Sequence, residues 1–344
     1  MKILNYLLSA CIMSSALVGF TGCSEDDPKD PNQSSTNGSN DPDDPNTPGT
    51  PSENQPVVSN PVTGLCTRYN TKWKFYYSNG KMTGGTDNNG TSFKFTSTPF
   101  TITSKWEGEY GYDKEVISNI RLNQNGYITS ANYLYEGSET YAGETETWKY
   151  TGTITVSYIN NEYINKIIMN AKVVEDGEEC GTERNEFTFT WNEGNLITVN
   201  TKYHSEDIEE GIDDGNSLTT FNYSSGQLNS GIYLSDFYED ITGPYFWYAG
   251  LLGKPSKQIP THVSYIDEVN DETPYTYNYN IRANYNGDAT VSSITLVTED
   301  GYEYDNNIQF FYGGAYPNFD DHATYQLNKA VKKSLIKRHS ARRK

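Results

Sequence analysis

The 344-residue chain is short of most things that carry recognisable chemistry. It has four cysteines and four histidines. No Cys-x-x-Cys or His-Glu-x-x-His spacing occurs, and His204, His262, His322 and His339 share no helical face, so no metal site is expected. Gly-x-Ser-x-Gly, the phosphate loop and the dinucleotide fingerprint are absent as well. These absences remove the commonest hydrolase, nucleotidase and dehydrogenase readings, and no cofactor is expected. Basic residues are scarce: 26 Lys and Arg stand against 45 Asp and Glu, a formal charge of −19. Eight of the basic residues lie in residues 329–344, which hold no acid, so residues 1–328 carry a formal −27. A surface of that sign repels nucleic acid, which is excluded as a partner.

Long apolar runs are also missing beyond the first twenty residues. There, Lys2 precedes a largely apolar stretch from Ile3 to Phe20, diluted by Asn5, Ser9, Ser14 and Ser15. A spanning helix needs about 20 cleanly apolar residues. The order of charge, apolar stretch and small residues is that of an export signal, residues 1–22. Phe20-Thr21-Gly22-Cys23 resembles a bacterial lipobox, with Phe20 where Leu is usual, which implies lipidation of Cys23. Ser24-Glu25-Asp26-Asp27 resembles the signal that carries lipoproteins of Bacteroidetes to the cell surface. The resemblance implies an outer-membrane, lipid-anchored and surface-exposed chain whose acyl chains, palmitate among them, hold it. Residues 23–63 then read as a disordered tether, because eight of the fourteen prolines fall between Pro28 and Pro61 among Asp, Asn, Ser and Thr.

What remains is a large domain, residues 64–318, followed by a basic tail, residues 319–344, which reads as a solvated end or a contact for an anionic surface. Tyrosine, with 29 copies, is the outlier. With Thr, Ile, Val, Phe and Trp in short alternating runs it predicts strands. One spacing recurs: aromatic, two residues, glycine, one residue, aliphatic. It appears at Tyr77–Met82, Trp191–Leu196 and Tyr223–Leu228, with looser copies at Leu122–Ile128, Tyr158–Ile164 and Tyr285–Gly287. Each predicts a hairpin, and in the three strict copies its glycine takes positive φ. On the order of 14 strands in a meander follow, too many for a flat sheet, so the sheet must curl or close.

These hairpins, together with Tyr248-Ala-Gly250-Leu-Leu-Gly253-Lys-Pro255-Ser and Ile259-Pro260, resemble a Bacteroidetes lipoprotein family known as a domain of unknown function with a porin-like fold. The resemblance spans roughly Trp73 to Tyr312 and implies an all-β fold, a large curved antiparallel meander of porin-like or barrel-like form. It supplies no catalytic residues. Porin-like form is not pore formation, since a membrane barrel shows an outward apolar band and this chain is hydrophilic.

The candidate sites are few. Tyr245-Phe246-Trp247-Tyr248 is a short apolar plug or lid, or else an aromatic platform for a sugar or lipid. Cys66 and Cys180 remain to the folded domain as candidates for a disulfide. Glu146, Glu186 and Asp236 are carboxylates from which a glycosidase pair could be assembled, at the separations such pairs require. The acid-rich stretch Glu206–Asp214 misses the calcium-loop spacing and reads as a hairpin end. The leading expectation is a non-enzymatic extracellular binding module for glycan or another envelope component, such as an envelope protein. A carboxylate-dependent polysaccharide hydrolase and a structural or adhesive surface protein are the alternatives.

Overall fold

The structure, a computed structural model, describes residues 49–319 apart from positions 109, 142, 209–210, 225, 239–242, 270–273, 300, 302 and 304–306. Cys23, Ser24–Asp27 and the basic tail from 320 onward lie outside the described residues. Sixteen strands run in chain order: β1 (Val62–Cys66), β2 (Lys72–Ser78), β3 (Lys81–Asp87), β4 (Ser92–Ser97), β5 (Phe100–Gly108), β6 (Gly111–Leu122), β7 (Ile128–Tyr141) and β8 (Glu144–Ile159). They continue as β9 (Tyr163–Glu175), β10 (Glu178–Asn192), β11 (Asn195–Asp207), β12 (Gly211–Asn222), β13 (His262–Val269), β14 (Tyr275–Tyr285), β15 (Val291–Thr298) and β16 (Ile308–Tyr312). Each pairs antiparallel with its neighbours in sequence, and β1 pairs with β16, so the meander closes into a barrel. Closure removes the free edges that so many strands would otherwise expose. The sequence expectation of about 14 strands falls short because β1 and β16, five residues each, are too short for alternation to register.

Period-two patterning decides which way the wall faces. Along β8, Tyr150, Ile154 and Val156 are buried, while Thr151, Thr153, Thr155 and Ser157 are exposed. The outer face carries ion pairs, Lys114 to Glu136 at 3.1 Å and Lys166 to Glu186 at 2.6 Å. Apolar inside and polar outside is the reverse of a membrane barrel, whose outward band meets lipid.

A barrel of sixteen strands is wide enough to leave a channel. Here the chain fills it itself. Between β12 and β13 the chain leaves the wall, and of its described residues Ile232, Leu234, Phe237, Tyr238 and residues 245–252 turn into the lumen, carrying a 3-10 turn (Ser235–Phe237) and one helical turn, α1 (Pro244–Tyr248). Pro244 opens α1, where its missing N–H costs nothing. The rings of α1 dock on the wall: Tyr245 stacks on Phe93 at 4.7 Å, Tyr248 on Phe75 at 5.5 Å, and Trp247 meets Phe189 edge-on at 6.3 Å. The gap left beside Trp191 and Trp247 measures about 10 Å³, room for roughly one water.

Turns after even-numbered strands gather at one rim of the barrel, called here the near rim, and turns after odd-numbered strands at the far rim. The recurring sequence spacing belongs to the near rim. Gly80 and Gly194 hold φ of 73° and 85°, as expected of tight hairpins. Tyr223–Leu228 is not a hairpin. There Gly226 has no positive φ and the chain departs into the lumen, Leu228 bridging to Gln258 instead. The spacing persists because its aromatic also ties neighbouring hairpins together. Tyr223 donates its hydroxyl proton to Leu196 O at 2.7 Å, and Tyr158 donates to Ile128 O at the same distance.

Residues 49–61 belong to the stretch that composition reads as a tether, yet they pack on the barrel. Residues 49–61 lie against the near rim, with Thr50 N–H donating to Phe95 O at 2.9 Å, Gln55 Nε2 to Met82 O at 3.0 Å and Val58 N–H to Gly80 O at 2.8 Å. This strap is held by main-chain and amide hydrogen bonds, to which hydropathy is blind.

The structure does not join Cys66 and Cys180 in a disulfide. β1 and β10 stand seven steps apart by the shorter way round the barrel. Strands lie about 4.8 Å apart, and cysteines bridge only when their Cα atoms come within about 7 Å.

Candidate functional site

The strands are unequal. β1 to β5 have five to nine residues, whereas β6 to β12 have 12 to 16, so one side of the barrel rises past the other at the far rim. The inner face of this tall wall is where the lumen stays polar. Register fixes what faces in. Trp106 lies opposite Asp113, Asp113 opposite Gly137, Gly137 opposite Trp148 and Trp148 opposite Glu175. The neighbouring row runs from Ser104 through Glu115, Tyr135 and Tyr150 to Val173. Further along, Glu183 faces Ser205 and then Asp213, and Asn185 faces Tyr203. Ser217 faces Asp267, while Thr219 faces Tyr265, which stacks on Tyr277 at 4.7 Å. Trp106, Asp113, Trp148, Glu175, Tyr203 and Asp213 are partly exposed; Glu115, Tyr135, Tyr150, Glu183, Asn185 and Tyr265 are buried.

Gly137 explains how Trp148 and Asp113 come together. A Cβ there would fall 2.5 Å from Asp113 Oδ1 and 2.7 Å from the Trp148 ring, so only glycine lets the indole lie across the strand. Tyr135 then donates to Asp113 Oδ1 at 2.8 Å and stands 6.0 Å, ring to ring, from Tyr150.

Charge on the tall wall is sorted by face. The Lys and Arg residues of β6 to β13 are Lys114, Arg121, Lys149, Lys166, Lys172, Arg184 and Lys202, and each falls on the outward parity of its strand. The inward parity holds Asp113, Glu115, Glu175, Glu183, Asp213 and Asp267. Burial away from water disfavours their ionised form. It pushes Glu183 up to about 8, with Glu175 adding repulsion, Glu115 to about 7 and Asp113 to about 6. Glu183 Oε2 and Asn185 Nδ2 are buried with no hydrogen-bond partner, although the two residues are 4% and 1% exposed.

Two acids fasten the lumen segment. Tyr245 of α1 donates to Glu115, and the Arg68 guanidinium stands near half-buried Asp236, whose carboxyl is pushed up to about 6 by loss of water. The carboxylates picked out in the sequence are thus dispersed. Glu186 is on the outer face, held below the usual carboxylate range by hydrogen bonds from Lys166 and Arg184; Asp236 is inside the plug; Glu146 sits near the far rim on the Trp148 side of β8. With the wall between Glu186 and Asp236, these two cannot flank one glycosidic bond. In the stretch Glu206–Asp214, Asp214 and Glu206 pair with His204 on the outer face, at 2.7 and 3.4 Å. Among the described residues no three metal-binding side chains converge.

Tyr245, Phe246, Trp247 and Tyr248 are buried, three of their rings packed on Phe93, Phe75 and Phe189 of the wall. Sequence reasoning passed over the far-rim acids, yet a signal was there. In Glu183-x-Asn185-x-Phe187-x-Phe189 a carboxylate and an amide share the parity of two core phenylalanines.

Fold and site together define a closed, self-plugged sixteen-stranded barrel with one partly exposed polar mouth. No protein-family model matches the chain, and no curated protein matches it. Among solved structures it is similar to a porin-like protein from Bacteroides vulgatus, with 14% identity, coverage of 73% of this chain and 98% of that one, and a TM-score of 0.47. It is also similar to a porin-like protein from Bacteroides uniformis, at 17% identity, 75% and 95% coverage and a TM-score of 0.38.

Proposed function

We propose that this chain is a cell-surface lipoprotein whose barrel, carried outside the outer membrane by the lipid on Cys23, binds extracellular glycan or another envelope component at its far rim. The observation that carries this reading is the inner face of the tall wall, where Trp106, Trp148 and Tyr203 stand partly exposed between carboxylates. Flat aromatic faces stack on the apolar faces of sugar rings, and carboxylates accept hydrogen bonds from hydroxyls. Because the strap and the plug occupy the near rim, a ligand enters from one side only. The polar outer wall suits a domain standing in water on a tether.

The test is a glycan-array screen of the chain from Ser24 to Lys344, analysing retained and released sugars. Binding that Trp148→Ala abolishes without change in the circular dichroism spectrum supports the reading. Release of shorter sugars would replace it with the hydrolase, and absence of any retained sugar would move the role to adhesion.

A further inference from the structure

The mouth has a sign as well as a shape. Across eight consecutive strands every Lys and Arg points out, and the charged side chains that point in are carboxylates, set among Trp106, Trp148 and Tyr203. Aromatic faces beside carboxylates attract an organic cation, the ring quadrupole and the anion acting in the same direction. A second feature points to what else the ligand carries. Glu183 Oε2, an acceptor, and Asn185 Nδ2, a donor, are buried, unpartnered and two residues apart on the inward face of β10. A buried polar atom left without a partner is destabilising, so a ligand supplying both partners gains that much in addition to its stacking. An ammonium N–H satisfies the glutamate; a hydroxyl or ring oxygen satisfies the amide.

We infer that the far-rim mouth takes an amine-bearing glycan, its ammonium group directed to Glu183 and a neighbouring sugar oxygen to Asn185, with Trp148 and Tyr203 against the rings. The inference rests on the binding reading above and adds the ligand class. A simple polyamine has the cation without the oxygen, and an N-acetylated sugar has the oxygen without the cation, so each isolates half of the recognition.

The experiment is calorimetric titration of the chain from Ser24 to Lys344, at near-physiological salt to screen diffuse attraction and across about pH 6 to 9, because burial raises the Glu183 carboxyl to about 8 and the contact needs it ionised while the amine keeps its proton. The probes are glucosamine hexamer, N-acetylglucosamine hexamer and spermidine. The expected result is binding of the glucosamine hexamer at least about tenfold tighter than either other probe, the difference one good charged contact makes. Glu183→Gln and the less buried Glu175→Gln should each weaken it by about tenfold, while Glu136→Gln on the outer face should leave it unchanged. Equal binding of the N-acetylated hexamer would overturn the inference and leave the binding reading standing. Equal binding of spermidine would overturn the sugar assignment, and equal loss with Glu136→Gln would reduce the effect to surface charge. If none of the three probes binds and the array is also silent, both readings fall together.

Discussion

Trp191 donates its indole N–H to the main-chain carbonyl of Ile164, one hairpin back round the barrel, at 2.7 Å. The aromatic that ends an even-numbered strand thereby fastens the aliphatic that begins the odd-numbered strand before it. The same clamp recurs from Tyr77 to Val62 at 3.2 Å, from Tyr158 to Ile128 and from Tyr223 to Leu196 at 2.7 Å, and from Tyr312 to Val291 at 3.1 Å. A ring of such contacts ties neighbouring hairpins together at the rim where the strap and the plug dock. Tyr77 extends it inward, its one hydroxyl proton shared between Val62 O and Tyr248 O of the plug, the latter at 2.9 Å.

Deleting single hydroxyls from this ring should cost stability in proportion to the hydrogen bond lost. Tyr158→Phe and Tyr223→Phe are each expected to lower unfolding free energy by about 1 kcal/mol, since each leaves a carbonyl short of its donor. Tyr141→Phe, at a position 63% exposed, should change nothing. Urea melts of the three variants decide it; equal midpoints would remove the clamp as a structural device.

How much of this was legible beforehand varies by element. The aromatic-x-x-Gly-x-aliphatic spacing predicted hairpins and found five of its six, because tight turns and flanking alternation are local. It failed at Tyr223 because the clamp needs the aromatic while the turn does not follow, and no local signal separates the two. The plug was legible as four apolar residues too few for a helix of any length. The strap was not, since Thr50, Gln55 and Val58 hold on through polar groups in a segment rich in proline. The mouth was hidden for a different reason: with 45 acids in the chain, only register separates Glu183 inside from Glu186 outside.

Stability should fall as pH rises. Glu183 titrates near 8 and Glu115 near 7 in the fold, against an ordinary 4.5, so the folded state holds protons that the unfolded chain has released. Their neutral form is fully present in both states below about pH 4, and the folded state loses ground from there until about pH 8. A decline of several kcal/mol is expected between about pH 5 and pH 9. Glu183→Gln, which removes the ionisation and keeps the shape, should raise the midpoint at the upper end and flatten the profile. Thermal melts across that range check it, and a profile that rises would contradict the buried acids.

The two cysteines should behave independently of redox conditions. Reductant is expected to leave the melting temperature of the chain from Ser24 unchanged, and unfolding should release two titratable thiols. Native labelling should reach Cys180, which is partly exposed, faster than Cys66, which is buried, hydrogen-bonded towards Asn70 and raised in pKa by that burial. A melting temperature that drops on reduction would restore the bridge.

The strap can be removed without touching the barrel wall. A chain beginning at Val62 loses the contacts from Thr50, Gln55 and Val58, and uncovers Met82 O beneath Gln55. It should remain all-β by circular dichroism yet unfold at lower urea, by about 2 kcal/mol for three hydrogen bonds and the cover they provide. Hydrogen exchange should quicken first at β3 and β4, against which the strap lies, and an unaltered melt would make residues 49–61 a tether after all.

Partition between water and detergent separates a lipid anchor from a lipid-facing wall. The outward side chains of β8, Thr151, Thr153, Thr155 and Ser157, are hydroxylic, and those of β9 and β10 include Lys166, Lys172 and Arg184. Placing such a belt in hydrocarbon costs about 2–4 kcal/mol for each Lys or Arg at the midplane, so the wall gives no reason to leave water. Acyl chains do, at about 0.8 kcal/mol per buried methylene. The full chain, made in a host that processes lipoproteins, is therefore expected in the detergent phase, and its Cys23→Ser variant in the aqueous phase with an unchanged circular dichroism spectrum. Neither should conduct ions across a planar bilayer, because the plug fills the lumen. A Cys23→Ser variant that stays with detergent would mean that the barrel itself meets lipid, and the polarity of its outer face would then need another explanation.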